Sequence, residues 1–154
     1  MNKNINVKLK KLRDNAKVPK YGTAEAAACD LCACLVTAEL ELPPHKITMI
    51  PCGIAIECER KNDENLAILV FARSGLASKH GIGLANGVGV IDTDYRGEVK
   101  VPLINQLDEP YIIHDGDRIA QMMFVPVLHA GFFETDELGE TERGKDGFGS
   151  TGKN

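Results

Sequence analysis

The sequence is poor in aromatic residues and contains no tryptophan. Its 154 residues include five phenylalanines and three tyrosines. So few rings argue against a broad surface on which the bases of a single-stranded nucleic acid could stack. Basic residues are not in excess either, since 18 lysines and arginines face 22 acidic residues. The formal net charge of −4 argues against binding of a long nucleic acid through bulk positive charge. A local cluster of basic side chains could still bind one phosphate ligand.

Long apolar segments are also missing. Residues 1–15 hold no apolar core of the length that a secretory signal needs. The longest apolar runs, such as residues 66–72, are far too short to span a bilayer. We therefore expect a cytoplasmic protein without a membrane segment. A chain of this length is about one domain and can bury one hydrophobic core.

Five cysteines, an odd number, favour free thiols in a chain without a secretory signal: Cys29, Cys32, Cys34, Cys52 and Cys58. Cys29 and Cys32 have the C-x-x-C spacing of many zinc ligands. The surrounding segment, AACDLCACLV, however, predicts a strand, in which residues three apart point to opposite faces. We expect small buried apolar residues here, with structural zinc as the minor alternative.

The dominant period of apolar residues is two. It is seen at residues 5–9 and 54–58, and near-continuous apolar runs cover residues 66–71 and 122–128. Gly, Pro and Asp-rich turns separate these segments, which predicts an all-β sandwich or barrel. One short helix is predicted over residues 74–80, with Ser74 as its cap and Gly81 at its end.

Residues 139–154 differ in kind from the β domain predicted over residues 1–138. They are rich in glycine, charged and hydroxyl residues, and Phe148 is their one large apolar residue. This composition predicts a flexible tail. Gly144 and Gly149 have the spacing of P-loop glycines, but Ser150 occupies the position of the essential lysine, so the motif is not a P-loop. A glycine-rich backbone with basic and hydroxyl side chains could still bind phosphate.

Three internal segments carry candidate chemistry. ARSGLASKHGIG (residues 72–83) puts an arginine, a serine and a glycine at a helix start, where they could bind an anion, although an ordinary capped turn is the alternative. NGVGVIDTDYRGE (residues 86–98) puts Asp92 directly after an apolar pair, where a partly buried carboxylate could act as a general base. DGDRIAQMMF (residues 115–124) puts Gln121 inside an apolar strand, where it needs either a cross-strand or a ligand partner. The four histidines show no metal-ligand spacing.

The order of these segments is more specific than any one of them. AAACDLCACL, ARSGLASKHGI, GVIDTDYRGE, GDRIAQMMF and RGKDGFGSTG resemble the five motifs of the trimeric dUTPases, over about residues 21–152. The resemblance implies a jelly-roll-like β fold and a homotrimer with shared active sites, each closed by the C-terminal tail of one chain. It also implies Mg2+-assisted hydrolysis of dUTP to dUMP and pyrophosphate, which keeps dUTP out of DNA and supplies dUMP for thymidylate synthesis.

The resemblance also assigns roles around the reacting phosphate. Asp92 matches the carboxylate that activates water for attack on the α-phosphorus, and Gln121 matches a polar contact near that phosphate. Asp30 matches an acidic residue near the metal that acts through water. The phosphate-binding turn matches Arg73, Ser74 and Gly75.

Other matches concern the nucleoside and the tail. Tyr95 matches the residue that packs on the deoxyribose and excludes a 2′-hydroxyl, and Lys100 is an additional pocket candidate. The hairpin that reads uracil matches Asn86, Gly89, Val90 and Ile91. In the tail, Phe148 matches the aromatic that stacks on uracil. The grip on the γ-phosphate matches Arg143, Ser150 and Thr151, and Gly149 lies in the same substrate-binding segment.

One departure and two alternatives stay open. Asp146 stands where the family's tail commonly has glycine, and it brings a negative charge close to the expected phosphate grip. A dCTP deaminase-like enzyme has a related fold, but it lacks a Phe-Gly-Ser-Thr tail. A non-catalytic dUTP sensor is the alternative from another class.

Overall fold

The computed structural model describes residues 5–59 and 65–145 as a strand-rich unit with one short helix in these ranges. The strands are β1 (Val7–Lys11), β2 (Lys20–Tyr21), β3 (Cys29–Cys32), β4 (Glu39–Leu42), β5 (Ile47–Pro51), β6 (Ile54–Cys58), β7 (Leu66–Ala72), β8 (Ile82–Leu84), β9 (Gly89–Asp92), β10 (Lys100–Asn105), β11 (Tyr111–His114) and β12 (Arg118–Pro126). The helix α1 (Ser74–His80) lies between β7 and β8.

The strands pair antiparallel across long stretches of sequence. The largest sheet has the order β2-β3-β12-β7-β9, and a second has the order β5-β10-β8. Two further pairs are β1-β6 and β11-β4. Neighbours in these sheets are mostly distant in sequence, which gives a jelly-roll-like arrangement around one core. The prediction of an all-β fold is confirmed.

The core is made by the inward-facing residues of all four sheets. Fully buried side chains include Leu31, Leu42, Ile50, Ile54 and Ile113. The alternation predicted from the sequence is visible in β6, where residues 54, 56 and 58 are buried and the two between them are only partly covered. The period-two pattern therefore predicts correctly which residues of β6 face the core.

The helix occupies the predicted residues, but its start differs from the expectation. Arg73 is the N-cap residue and makes no side-chain capping bond, whereas Ser74 is already helical. The predicted serine cap is therefore wrong. The predicted end is confirmed, because Gly81 adopts φ +62° and donates its N–H to the carbonyl of Ala77, as a left-handed C-terminal residue does.

The cysteines belong to the core. Four of the five are buried, Cys32 is half-buried, and all five are free thiols. The Cys29 thiol donates to the Met122 carbonyl at 3.4 Å, so it is part of the pairing between β3 and β12. Nowhere in residues 5–59 and 65–145 do three or more His, Cys, Asp or Glu side chains form a group that could hold a metal ion.

The chain beyond β12 leaves the sheets. Residues 128–145 contain no helix or strand and are exposed throughout. Large apolar side chains lie among them, and Leu128, Phe132, Phe133 and Leu138 are each at least 87% exposed. The tail predicted from residue 139 begins inside this exposed arm, while Asp146, Phe148, Gly149, Ser150 and Thr151 lie outside the described residues.

Within the described ranges, no helix has both the length and the apolar character needed to cross a membrane.

Burial of Cys52 predicts a fall in stability at alkaline pH. Burial raises the pKa of this thiol from its ordinary value of 9.0 to about 12. Between these values the native state keeps a proton that the unfolded state has lost, so the free energy of unfolding decreases as the pH rises from 9 towards 12. Urea denaturation at several alkaline pH values should show a shallower decrease for Cys52→Ala. Equal slopes for the two proteins would contradict the assignment.

Candidate active site

One candidate group of side chains is an arginine–aspartate cluster formed by Asp30, Arg73 and Arg118. Asp30 lies on β3 with 20% of its side chain exposed. Its Oδ1 is 3.3 Å from Nε of Arg73, and its Oδ2 accepts a hydrogen bond from Arg118 at 3.1 Å. Arg73 also donates to the Arg118 carbonyl at 2.9 Å. The carboxylate therefore holds two cationic groups side by side at the end of β7.

Gln121 lies beside this cluster because β12 runs between β3 and β7. In register it pairs with Asp30 on one side and Phe71 on the other. Its side-chain amide donates to the Ala72 carbonyl at 3.2 Å. The cross-strand partner expected for a glutamine in an apolar strand is thus present, and this bond fixes the residue just before Arg73.

The two residues after Arg73 form the first turn of α1. Ser74 and Gly75 are exposed, and a Cβ placed on Gly75 would meet no atom within 4 Å. The Ser74 carbonyl accepts from the Ser78 hydroxyl at 2.7 Å. The turn predicted to bind phosphate is therefore open to solvent, and it directly follows Arg73 of the arginine–aspartate cluster.

A second candidate group is the β9 hairpin, defined here as residues 86–98. Asn86 is exposed and precedes the tight turn into β9. Gly89 lies against Val70 of β7, and a Cβ on it would be 3.1 Å from the Val70 Cβ, so the close approach favours glycine. Val90 is 63% exposed and Ile91 is partly buried.

The end of this hairpin carries Asp92 and Tyr95. Asp92 is exposed, so the partial burial expected for a general base is not found within one chain. Its carbonyl accepts from the Tyr95 N–H at 3.1 Å. The Tyr95 hydroxyl donates to the Glu98 carbonyl at 3.1 Å, which folds the ring back towards its own backbone.

Three charged residues in or beside these groups were not predicted from the sequence: Arg13, Glu98 and Arg118. Arg118 and Glu98 lie inside quoted motifs, so the motifs themselves could have drawn attention to them. Arg13 carries no local signal, because its 2.7 Å ion pair with Glu98 spans 85 residues of sequence. Lys100, the additional pocket candidate, has its Nζ 3.7 Å from the other oxygen of Glu98.

Asp92 and Arg73 lie at opposite ends of β7 in a single chain. Asp92 pairs in register with Ala67 near the start of β7, whereas Arg73 directly follows the last residue of that strand. Six residues of extended chain span roughly 20 Å. Arg143 lies in the exposed arm, outside both groups. Asp92, the arginine–aspartate cluster and Arg143 are therefore separate within one chain.

The arginine–aspartate cluster predicts unequal coupling energies for its two ion pairs. Arg73 is 27% exposed and Arg118 is 57% exposed, and exposed pairs contribute little. In double-mutant cycles with Asp30→Asn, we expect about 1 kcal/mol for Arg73→Met and about 0.5 kcal/mol or less for Arg118→Met. Urea denaturation at one fixed protein concentration measures both. A larger coupling for Arg118 would contradict this ranking.

Comparison with solved structures supports the fold. A mutant dUTPase of Staphylococcus bacteriophage 80alpha, solved with dUpNHpp, superposes with a TM-score of 0.83 at 24% identity, covering 96% of this chain and 99% of that one. A mutant dUTPase from phage phi11 of S. aureus, described as showing the coordination of a structural Mg(II) ion, gives a TM-score of 0.73 at 20% identity, covering 86% and 97%.

Sequence relatives are closer. A deoxyuridine 5′-triphosphate nucleotidohydrolase of Desulfitobacterium hafniense (strain DSM 10664 / DCB-2) is 54% identical over 150 residues, covering 96% of this chain and 97% of the relative. The enzyme of the same name from Klebsiella pneumoniae (strain 342) is 43% identical over 155 residues and covers 99% of both. The dUTPase family model matches residues 14–152. The resemblance drawn from the five motifs is confirmed, and the chain belongs to the dUTPase family.

Proposed function

We propose that this protein hydrolyses dUTP to dUMP and pyrophosphate by Mg2+-assisted attack of water on the α-phosphorus. The observation that carries the proposal is that a chain of the dUTPase family contains two complementary groups. One is the cationic arginine–aspartate cluster, suited to a triphosphate. The other is the β9 hairpin, which carries an exposed carboxylate beside an aromatic ring. In the cell, we infer, the reaction takes place in the cytoplasm, limits dUTP in DNA and supplies dUMP for thymidylate synthesis.

We propose a homotrimer with shared sites because Asp92 and Arg73 are about 20 Å apart along β7. One dUTP molecule must contact both the water-activating carboxylate and the phosphate turn. A second copy of the chain therefore supplies the group that lies out of reach in the first. Residues 128–145 are exposed and lie outside the sheets, which suits closure of a site on neighbouring copies by the tail.

In this proposal Asp92 is the general base. Its exposed carboxylate can accept a proton from water as the oxygen attacks phosphorus. Arg73, Ser74, Gly75 and Gln121 bind the phosphates, and the guanidinium offsets the charge that develops on the leaving pyrophosphate.

The nucleoside is recognised by the β9 hairpin. Backbone groups of Asn86 and of residues 89–91 hydrogen-bond uracil, and their pattern and close fit reject cytosine and the methyl group of thymine. The Tyr95 ring packs on the deoxyribose, and Lys100 borders the pocket. In the tail, Arg143 contacts phosphate. Residues 148–151 add an aromatic ring that stacks on uracil and further hydrogen-bond donors to the phosphate.

The side chains near the phosphate turn fit a magnesium ion held mainly by the substrate. Mg2+ in such sites keeps several waters and binds one or two carboxylates plus phosphate oxygens. Asp30 is the one carboxylate of the arginine–aspartate cluster, and both its oxygens already face guanidinium groups, which favours contact through water. When bound, the ion neutralises part of the triphosphate charge.

A substrate panel tests the reaction itself. With Mg2+ present, purified protein should release pyrophosphate from dUTP, release it far more slowly from dCTP, and release no ammonia from dCTP. Ammonia from dCTP would instead indicate a deaminase. Binding of dUTP without release of pyrophosphate would indicate a sensor and overturn the proposal.

Replacement of Asp92 tests the general base. Asp92→Asn keeps the size of the side chain but cannot accept the proton, so kcat for dUTP should fall by about 100-fold or more while dUTP still binds. Asp94→Asn, an exposed carboxylate two residues away, is the matched control and should retain kcat within about twofold. Unchanged turnover in Asp92→Asn would remove the assignment.

Complementation tests the shared site. Deleting residues 143–154 should leave the fold intact and impair hydrolysis. Mixing this truncated chain with Asp92→Asn chains by joint refolding should restore activity in about a quarter of the sites of randomly mixed trimers, since a site then obtains its carboxylate and its tail from different copies. Two inactive proteins that stay inactive after mixing would show that sites are not shared in this way.

A further inference from the structure

We propose that Arg13, Gly97 and Glu98 are positioning residues that hold the Tyr95 ring in the orientation that rejects a ribose 2′-hydroxyl. The inference rests on the proposed function, because it takes the Tyr95 ring to face the sugar. It adds a second layer to sugar selectivity, built by residues that do not themselves touch the substrate.

Gly97 provides the space in which the ring lies. A Cβ on this residue would overlap the Tyr95 hydroxyl and ring, with Cε2 only 2.8 Å away. Gly97 does not have a positive φ, so the requirement for glycine here is steric and does not come from the backbone conformation. Because the overlap involves the far end of a side chain, a methyl group at this position would displace the ring and leave the backbone in place.

The Glu98 carbonyl holds the hydroxyl of the same ring. It accepts the Tyr95 hydroxyl at 3.1 Å. The residue that follows, Val99, is buried and paired on both sides: its N–H donates to Ile54 at 2.8 Å, and its carbonyl accepts from Cys52 at 3.0 Å. The carbonyl that accepts the tyrosine hydroxyl therefore adjoins a buried residue whose backbone is fixed on both sides.

The Glu98 side chain is also fixed, by contacts to its carboxylate. It is 13% exposed, and its Oε1 accepts from Arg13 at 2.7 Å and from the Gly53 N–H at 3.1 Å. Its Oε2 is 3.5 Å from the second Arg13 nitrogen and 3.7 Å from Lys100. A carboxylate this covered needs charged partners, since a mostly buried charge without a partner is costly.

Arg13 connects this carboxylate to a different part of the fold. The same guanidinium nitrogen that binds Glu98 lies 3.3 Å from the Cys34 carbonyl, and Leu12 donates to the Gly53 carbonyl at 2.8 Å. Without Arg13, the Glu98 carboxylate would keep only the Gly53 N–H at 3.1 Å and Lys100 at 3.7 Å, so the backbone of Gly97 and Glu98 would be held mainly from the Val99 side and would move more freely. The Tyr95 ring would then lose its restraint, although nothing in the ring itself had changed.

The physical consequence is confined to the sugar. Rejection of a hydroxyl by steric contact fails when the contacting ring can move aside, whereas base recognition depends on the hairpin backbone around residues 86–91. Loss of the restraint should therefore lower discrimination between dUTP and UTP and leave discrimination between dUTP and dCTP unchanged. A general loosening of the site would lower both.

The test compares kcat/KM for dUTP, UTP and dCTP in four variants. Gly97→Ala, Arg13→Met and Tyr95→Phe should each lower the dUTP-to-UTP ratio, by about tenfold for the first two, and keep the dUTP-to-dCTP ratio within about twofold. Arg13→Lys should recover part of the dUTP-to-UTP ratio, because it keeps the charge but loses the paired geometry. Tyr95→Phe removes one hydroxyl from an exposed side chain, so it provides a result even if an Arg13 variant fails to fold.

Two matched controls separate positioning from ordinary surface effects. Gly22→Ala adds a methyl group where no atom lies within 4 Å, and Lys8→Met breaks the exposed Lys8–Glu57 pair at 3.3 Å. Both should leave the two ratios unchanged. If wild-type protein hydrolyses dUTP and rejects UTP but the variants keep both ratios, or lose both equally, this inference is wrong while the proposed function stands. If wild-type protein does not hydrolyse dUTP, the proposed function itself fails.

Discussion

The placement of β12 between β3 and β7 is the constraint on which the rest of the candidate site depends. Antiparallel pairing puts Gln121 level with Asp30 on one neighbour and Phe71 on the other. Because side chains alternate along a strand, a shift of one residue would turn each of them to the opposite face. The same register brings the end of β7 to Arg118, and Arg73 follows directly. Sheet register, more than any loop, therefore assembles the arginine–aspartate cluster.

The length of β7 sets the distance between Asp92 and the arginine–aspartate cluster. Strand β9 pairs along β7 and ends with Asp92 opposite Ala67, whereas Arg73 of the cationic cluster directly follows Ala72. A rigid paired strand cannot fold back to bring its ends together. In the proposed function a second copy brings the carboxylate to the cluster, which makes oligomer formation part of the proposed chemistry. The exposed arm after β12 is consistent with the same arrangement.

The predictable parts of the fold were the ones set by local pattern. The apolar run at residues 66–71 became β7, and the helix occupies residues 74–80, because periodicity and a terminal glycine are readable from neighbouring residues. The segment AACDLCACLV predicted a longer strand than Cys29–Cys32, and the serine cap was wrong, because boundaries depend on which hydrogen-bond partners the fold supplies. The exposure of Asp92 was not predicted, because burial at the end of β9 depends on which parts of the chain the fold places there.

By itself, the sequence determined the β class, the family and which residues carry candidate chemistry, since strand periodicity and ordered motifs are local properties of the chain. Only the tertiary structure decided which of those residues meet. The Arg13–Glu98 ion pair joins residues 85 apart, and the Asp30–Arg118 pair joins residues 88 apart. Such partners are chosen by sheet topology and burial, because a mostly covered carboxylate is stable only where the fold brings a cation to it.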